Sequence, residues 1–163
     1  MKKIFIGLIF LFLNLSIFTV NLLPTFVGYI LIFLGLDEEY ECPSLSASRT
    51  IAVASAILMA VVWGAGLFGY GMTFPLGAIL QLLNTYRLVV WANEQAEDQG
   101  WGSVQIQRFR TSWYALAGAV IAATLLSWVG MALVWGVVAF AAAIYYIYVY
   151  YGLWKSALPE GEA

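Results

Sequence analysis

Residues 4–36 of this chain contain no charged side chain. As one straight helix, those 33 residues would measure about 50 Å. The hydrocarbon core of a bilayer is only about 30 Å thick, so the stretch must be broken. The break is legible at Asn21-Leu22-Leu23-Pro24. Proline lacks an amide donor and pushes the residue before it away from the helical region. The stretch therefore reads as two helices, 4–20 and 24–36, with Asn21, Pro24 and Gly28 as the helix-break motif.

Four later stretches reach the roughly 17–25 residues that a crossing helix needs: 50–72, 75–92, 112–129 and 131–152. Pro75 suits the first turn of its helix. Composition says which solvent these helices meet. The chain is 63% hydrophobic and 10% charged, against about 25% charged in ordinary soluble domains. A small soluble fold could not hide so much apolar surface. The expected fold is an all-α integral membrane protein. About six transmembrane helices form three hairpins, with little of the chain outside the bilayer. Residues 1–158 make a single transmembrane domain, and 159–163 an acidic tail expected to be disordered.

Basic residues near the ends of membrane spans collect on the cytoplasmic side, whereas acidic ones have little influence. With six crossings and both termini cytoplasmic, Lys2, Lys3, Arg49, Arg87, Arg108, Arg110 and Lys155 all fall inside. Were residues 4–36 a single crossing, two would stay inside and five would move out. The six-crossing reading is preferred, and it makes this a multi-pass protein of the cell membrane. The opening Met1-Lys2-Lys3 resembles a secretory signal. However, no small-residue cleavage site follows and the apolar run far exceeds a signal core. It reads as a retained membrane helix. Trp91, Trp101, Trp113 and Trp154 sit near the inner ends, and the dense run of tyrosines from Tyr145 to Tyr151 reads as part of the same interfacial belt.

The residue inventory excludes several chemistries. There is no histidine and one cysteine, Cys42, so zinc and iron–sulfur sites lack ligands. The basic residues are scattered rather than gathered on a stripe, which argues against nucleic-acid binding. Glu94, Glu97 and Asp98 in the connection 93–111 read as a solvated charged loop, not as fixed acid–base catalysts. The acidic run Asp37-Glu38-Glu39-Tyr40-Glu41 lacks the turn glycine of a calcium-binding loop. No catalytic, cofactor or metal residue is assigned, and the chain reads as non-enzymatic.

Polar groups at membrane depth need a partner or a watered cavity. Gln81, Asn84 and Thr85 share one face of the helix 75–92 and form the leading polar cluster. Interhelical hydrogen bonding is the preferred reading, and a ligand contact the alternative. Asn14 is a candidate partner from the first helix. Arg87 is the one charge well inside a span and reads as a side chain snorkelling to the headgroups. Small residues recur every fourth position at Ala52, Ala56 and Ala60, at Ala115, Ala119 and Ala123, and at Ala139 and Ala143. That spacing lets helices approach closely in lipid, and packing within the chain is preferred over packing against another protein.

The segment Asn21-Leu22-Leu23-Pro24-Thr25-Phe26-Val27-Gly28-Tyr29, within residues 14–36, resembles a turn in uncharacterised small polytopic membrane proteins of Gram-positive bacteria. Thr25 stands where that pattern has an acidic residue. The resemblance implies a location and no chemistry. From the residues themselves, the chain reads as a subunit, scaffold or interaction module in the bilayer. Its partners would be lipid and either further copies of itself or another membrane protein. The alternative is a small-solute transport component, similar in helix number to the substrate-binding subunits of energy-coupling transporters.

Overall fold

Pro24 fixes one element boundary unambiguously. Its backbone is extended, and helix α2 (Thr25–Asp37) starts at the next residue. The computed structural model describes residues 1–12, 16–17, 20–21, 24–39, 42–67, 76–99, 103–126 and 132–157. Ahead of α2 lies α1 (Lys2–Phe12). After it come α3 (Pro43–Leu67), α4 (Leu76–Gln99), α5 (Ser103–Leu126) and α6 (Ala132–Ala157). Two short strands, β1 (Ser16–Ile17) and β2 (Val20–Asn21), pair antiparallel between α1 and α2, with Ser16 opposite Asn21 and Ile17 opposite Val20. The chain divides into two compact units, Met1–Arg87 and Leu88–Ala163.

In the first unit α1 and α2 form an antiparallel hairpin held at backbone distance. A β-carbon at Gly7 would lie 2.8 Å from the Gly28 carbonyl oxygen, and one at Gly28 would lie 2.9 Å from that of Gly7. At Gly35 it would meet the backbone nitrogen of Ile4 at 2.7 Å. Only glycine permits such an approach, which in lipid supplies the dispersion contact that apolar burial supplies in water. Ile4, Leu8 and Leu11 of α1 are buried, as are Tyr29, Ile32 and Leu36 of α2. Helix α3 runs back along α2, with Phe26 edge-on to Trp63 at 5.8 Å. At the other end of that pair, Arg49 donates through Nε (3.3 Å) and Nη2 (3.1 Å) to the Leu36 carbonyl, closing the C-terminus of α2.

In the second unit α5 and α6 are also antiparallel. Phe109, early in α5, packs on Tyr146 and Tyr150, late in α6, with ring centroids 5.0 and 5.7 Å apart. Ile106, Leu116 and Ala119 from α5 are buried, as are Ala143 and Leu153 from α6.

Among the described residues, three helical segments are long and apolar enough to cross a membrane: Pro43–Gly66, Ser103–Leu126 and Gly136–Ser156. Their outward faces are aliphatic and aromatic: Ile57 and Val61 on α3, Ile121 and Leu125 on α5, and Val137 and Ile144 on α6 are all more than half exposed. A helix that turns such residues outward has lipid as its solvent.

The expected boundaries need correction. The helix expected over 4–20 ends at Phe12, and the residues that follow include the β1–β2 pair. Ile17 and Val20 are β-branched, and serine and asparagine are poorer helix formers than leucine, so this stretch suits a ladder better than its apolar character suggests. At 11 and 13 residues, α1 and α2 are about 16 and 20 Å long, each shorter than the hydrocarbon core. Helix α3 starts at Pro43 rather than at 50, α4 runs to Gln99 rather than 92, α5 starts at Ser103 rather than 112, and α6 runs to Ala157 rather than 152. These extensions are rich in Gln, Glu, Lys, Arg and Ser. The first four are good helix formers, so hydrogen bonding continues past the edge of the apolar window. The stretch 93–111, expected as a loop, is therefore mostly helical. Residues 14, 68–72, 127–131 and 159–163, on which other expectations fall, lie outside those described.

Candidate functional site

Serine recurs on one face of α3. Ser44, Ser48 and Ser55 are all buried, along with Ala52 between them. A buried hydroxyl in an apolar surrounding must find an acceptor or donor. Ser48 Oγ donates to the carbonyl of Ser44 at 2.9 Å, one turn back along the helix. Ser55 Oγ receives a bond from the neighbouring helix: Asn84 Nδ2 donates to it at 2.7 Å, and to the Leu80 carbonyl at 2.8 Å. Asn84 is 3% exposed and Ser55 1%, so this interhelical bond is shielded from water. Both amide protons of Asn84 are thereby engaged.

Thr85 is also fully buried, but it turns inward on its own helix. Its Oγ1 donates to the carbonyls of Gln81 (2.8 Å) and Leu82 (3.1 Å). Gln81, the third member of the expected face, is half-buried and contributes its carbonyl to that bond. Arg87 reaches across to α3, where Nη2 donates to the Ser44 carbonyl at 3.2 Å, while its buried Nε has no hydrogen-bond partner. The Ser44 carbonyl thus collects both Ser48 Oγ and the Arg87 guanidinium. Arg87 points toward the N-terminus of α3, the direction expected of a snorkelling side chain, yet its tip docks on protein. Asn14 lies outside the described residues. Of the helix-break motif, Pro24 caps α2 and Gly28 makes the close contact with Gly7, while Asn21 ends the short ladder.

Charges gather at the end of the unit where α1 begins and α2 meets α3. Glu38 pairs with Lys3, Glu39 with the Met1 amino group, and Arg49 lies 3.6 Å from Asp37. Asp37, Glu38 and Glu39 are thus matched by cations from two segments, the start of α1 and the first half of α3. Ser44, Ser48, Ser55, Gly7 and Gly35 were not picked out from the sequence. Serine spaced 44, 48, 55 is a one-face pattern that could have been read. Gly35, seven residues after Gly28, could also have been read as a helix-contact position.

The seam joins α3 to α4 through the Asn84–Ser55 bond and the bond from Arg87 Nη2 to the Ser44 carbonyl. No family model, curated protein or solved structure matches this chain.

Proposed function

We propose that this chain is a non-enzymatic, multi-pass membrane protein that acts as an interaction module within the bilayer. The observation that carries this reading is the outward face of α5. Thr111, Ala115 and Gly118 are exposed there and Ala122 is half-buried, and no atom lies within 4 Å of where a Gly118 β-carbon would be. Small residues spaced by three and four positions make a flat strip that a second helix can approach closely. Of the alanines expected to pack within the chain, Ala52, Ala56, Ala119 and Ala143 are buried while Ala115 faces outward. The internal contacts thus leave the small-residue strip of α5 uncovered.

The topology that fits this reading has six crossings with both termini cytoplasmic. The α1 start, the α2–α3 connection and the Arg87 tip share one end of the first unit. In the second unit, the antiparallel pairing of α5 and α6 brings Arg108, Arg110 and Lys155 to a common end. A transport role would need polar groups free to meet a solute. Asn84 and Thr85 donate instead to Ser55 and to backbone carbonyls, which favours the interaction reading.

Purified in mild detergent, the protein should run as a complex, either of its own copies or with another membrane protein. The double variant A115L/G118L should release it as a monomer with unchanged helicity by circular dichroism. A wild-type chain that is monomeric and partnerless at membrane-like concentration overturns the proposal.

A further inference from the structure

Where α4 ends and α5 begins, the second unit holds a cleft of about 480 Å³ lined by Asn93, Ala96, Glu97, Ser103, Gln107 and Arg110, with Ile106 at its floor. Glu97 and Arg110 both face this space and both are exposed, yet no ion pair joins them among the described residues. Glu97 accepts a hydrogen bond from Asn93 Nδ2 at 3.1 Å, which steadies the carboxylate on its wall. An acid and a base on the walls of one cleft, unbridged by each other, complement a ligand carrying both signs of charge.

The depth of the cleft narrows the ligand class. Arg108 and Arg110 lie on α5 about one turn before Trp113, at the junction between its polar start and its apolar run. Arginine near the end of a membrane helix settles at the phosphate level, and tryptophan at the headgroup–acyl boundary. The cleft therefore opens where phospholipid headgroups lie. Its volume falls within the range of small-molecule sites.

We infer that this cleft binds a zwitterionic aminophosphate, the headgroup of an ethanolamine phospholipid, with the phosphate on Arg110 and the ammonium on Glu97. Guanidinium matches phosphate oxygens through two parallel donors, while a primary ammonium offers protons to the carboxylate and to Gln107. A choline headgroup keeps the charge but has no N–H to donate. A glycerol headgroup keeps the phosphate and loses the cation. The inference does not depend on which partner docks on α5, only on the chain lying in a bilayer.

The test is lipid retention. The full chain is reconstituted in nanodiscs of equal parts ethanolamine, choline and glycerol phospholipid, extracted gently, and its bound lipid counted by native mass spectrometry. Wild type should retain ethanolamine lipid over both others. E97Q should lower the preference over choline lipid by about two- to fivefold, the weight of one exposed ion pair. R110Q should lower retention of ethanolamine and glycerol lipid alike. Both substitutions are on exposed side chains, and unchanged melting temperatures in pure choline lipid will verify the fold. Displacement of the bound lipid by soluble glycerophosphoethanolamine supports recognition of the headgroup itself. Failure of displacement together with intact E97Q and R110Q effects supports the same contacts made only from within the membrane. Equal retention of the three lipids, or retention indifferent to both substitutions, overturns the inference.

Discussion

Asn84 shows how a single polar residue acts in this protein. It sits in an apolar stretch of α4, where a lone amide would be costly, and both of its protons are engaged, one by Ser55 on α3. Interhelical hydrogen bonds between membrane helices average about 0.6 kcal/mol by double-mutant cycles. Asn84→Ala, which leaves Ser55 without its donor, should therefore destabilise the chain by about 1 kcal/mol. Ser55→Ala should cost a similar amount, and the double variant should cost clearly less than the sum. Unfolding in mixed micelles, followed by circular dichroism, measures all three. Strict additivity would mean that the two side chains do not cooperate across α3 and α4. The arginine differs in kind. Because Arg87 meets a carbonyl rather than a carboxylate, Arg87→Lys should retain most of its contact, and yield in the membrane should hold.

At the scale of whole helices, glycine has opposite meanings at different positions. A β-carbon at Gly28 would lie 2.9 Å from the Gly7 carbonyl oxygen and the Leu11 nitrogen, whereas one at Gly118 or Gly136 would meet open space. Gly28→Ala should force α1 and α2 apart and cost about 1–3 kcal/mol, the usual penalty of overpacking. Gly136→Ala should instead stabilise by up to about 1 kcal/mol through helix propensity. If both substitutions shift the melting temperature the same way, the hairpin is not packed through its glycines. The contrast also marks what the sequence made legible. The number of helices and the break before Thr25 followed from apolar runs and one proline, because both are local properties. The helix ends did not, since hydropathy reports where lipid stops and hydrogen bonding does not stop there. The early end of α1 was obscured because Ile17 and Val20 are as apolar in a strand as in a helix. On the site, Asn84 was read as a polar group in need of a partner, but Ser55 as that partner depended on how α3 and α4 pack, which no spacing within one helix contains.

Over the molecule as a whole, charge is sorted more sharply than composition requires. In the first unit the cations Lys3 and Arg49 sit with Asp37 and Glu38 at one end of the α1–α2–α3 arrangement. In the second, Arg108, Arg110 and Lys155 share the end where α5 starts and α6 finishes. Moving a charge to the centre of a bilayer costs about 2.5–3.5 kcal/mol even on insertion scales, so each of these ends must lie at a membrane surface. If both surfaces are the cytoplasmic one, every basic residue obeys the same retention rule, and no crossing carries a cation outward. Cys42, half-buried beside Pro43 and the only cysteine, gives a native probe at the first of these ends. An impermeant maleimide applied to intact cells should leave Cys42 unlabelled and should modify it once the membrane is opened. In a Cys42→Ser background, a cysteine placed by Lys155→Cys should behave the same way, because the proposed six crossings would return the last helix to the side of the first. Labelling at position 155 but not at 42 from outside would mean an odd number of crossings between them. The short α1–α2 hairpin passes this test whether or not it reaches the far surface, since both of its arms open on the same side. The decision therefore falls on α4, whose described residues, interrupted by Gln81, Asn84 and Arg87, are not among the segments apolar enough to cross on their own. It would cross with Asn84 bonded to Ser55 and one Arg87 nitrogen to the Ser44 carbonyl, two of its polar side chains thus engaged by α3.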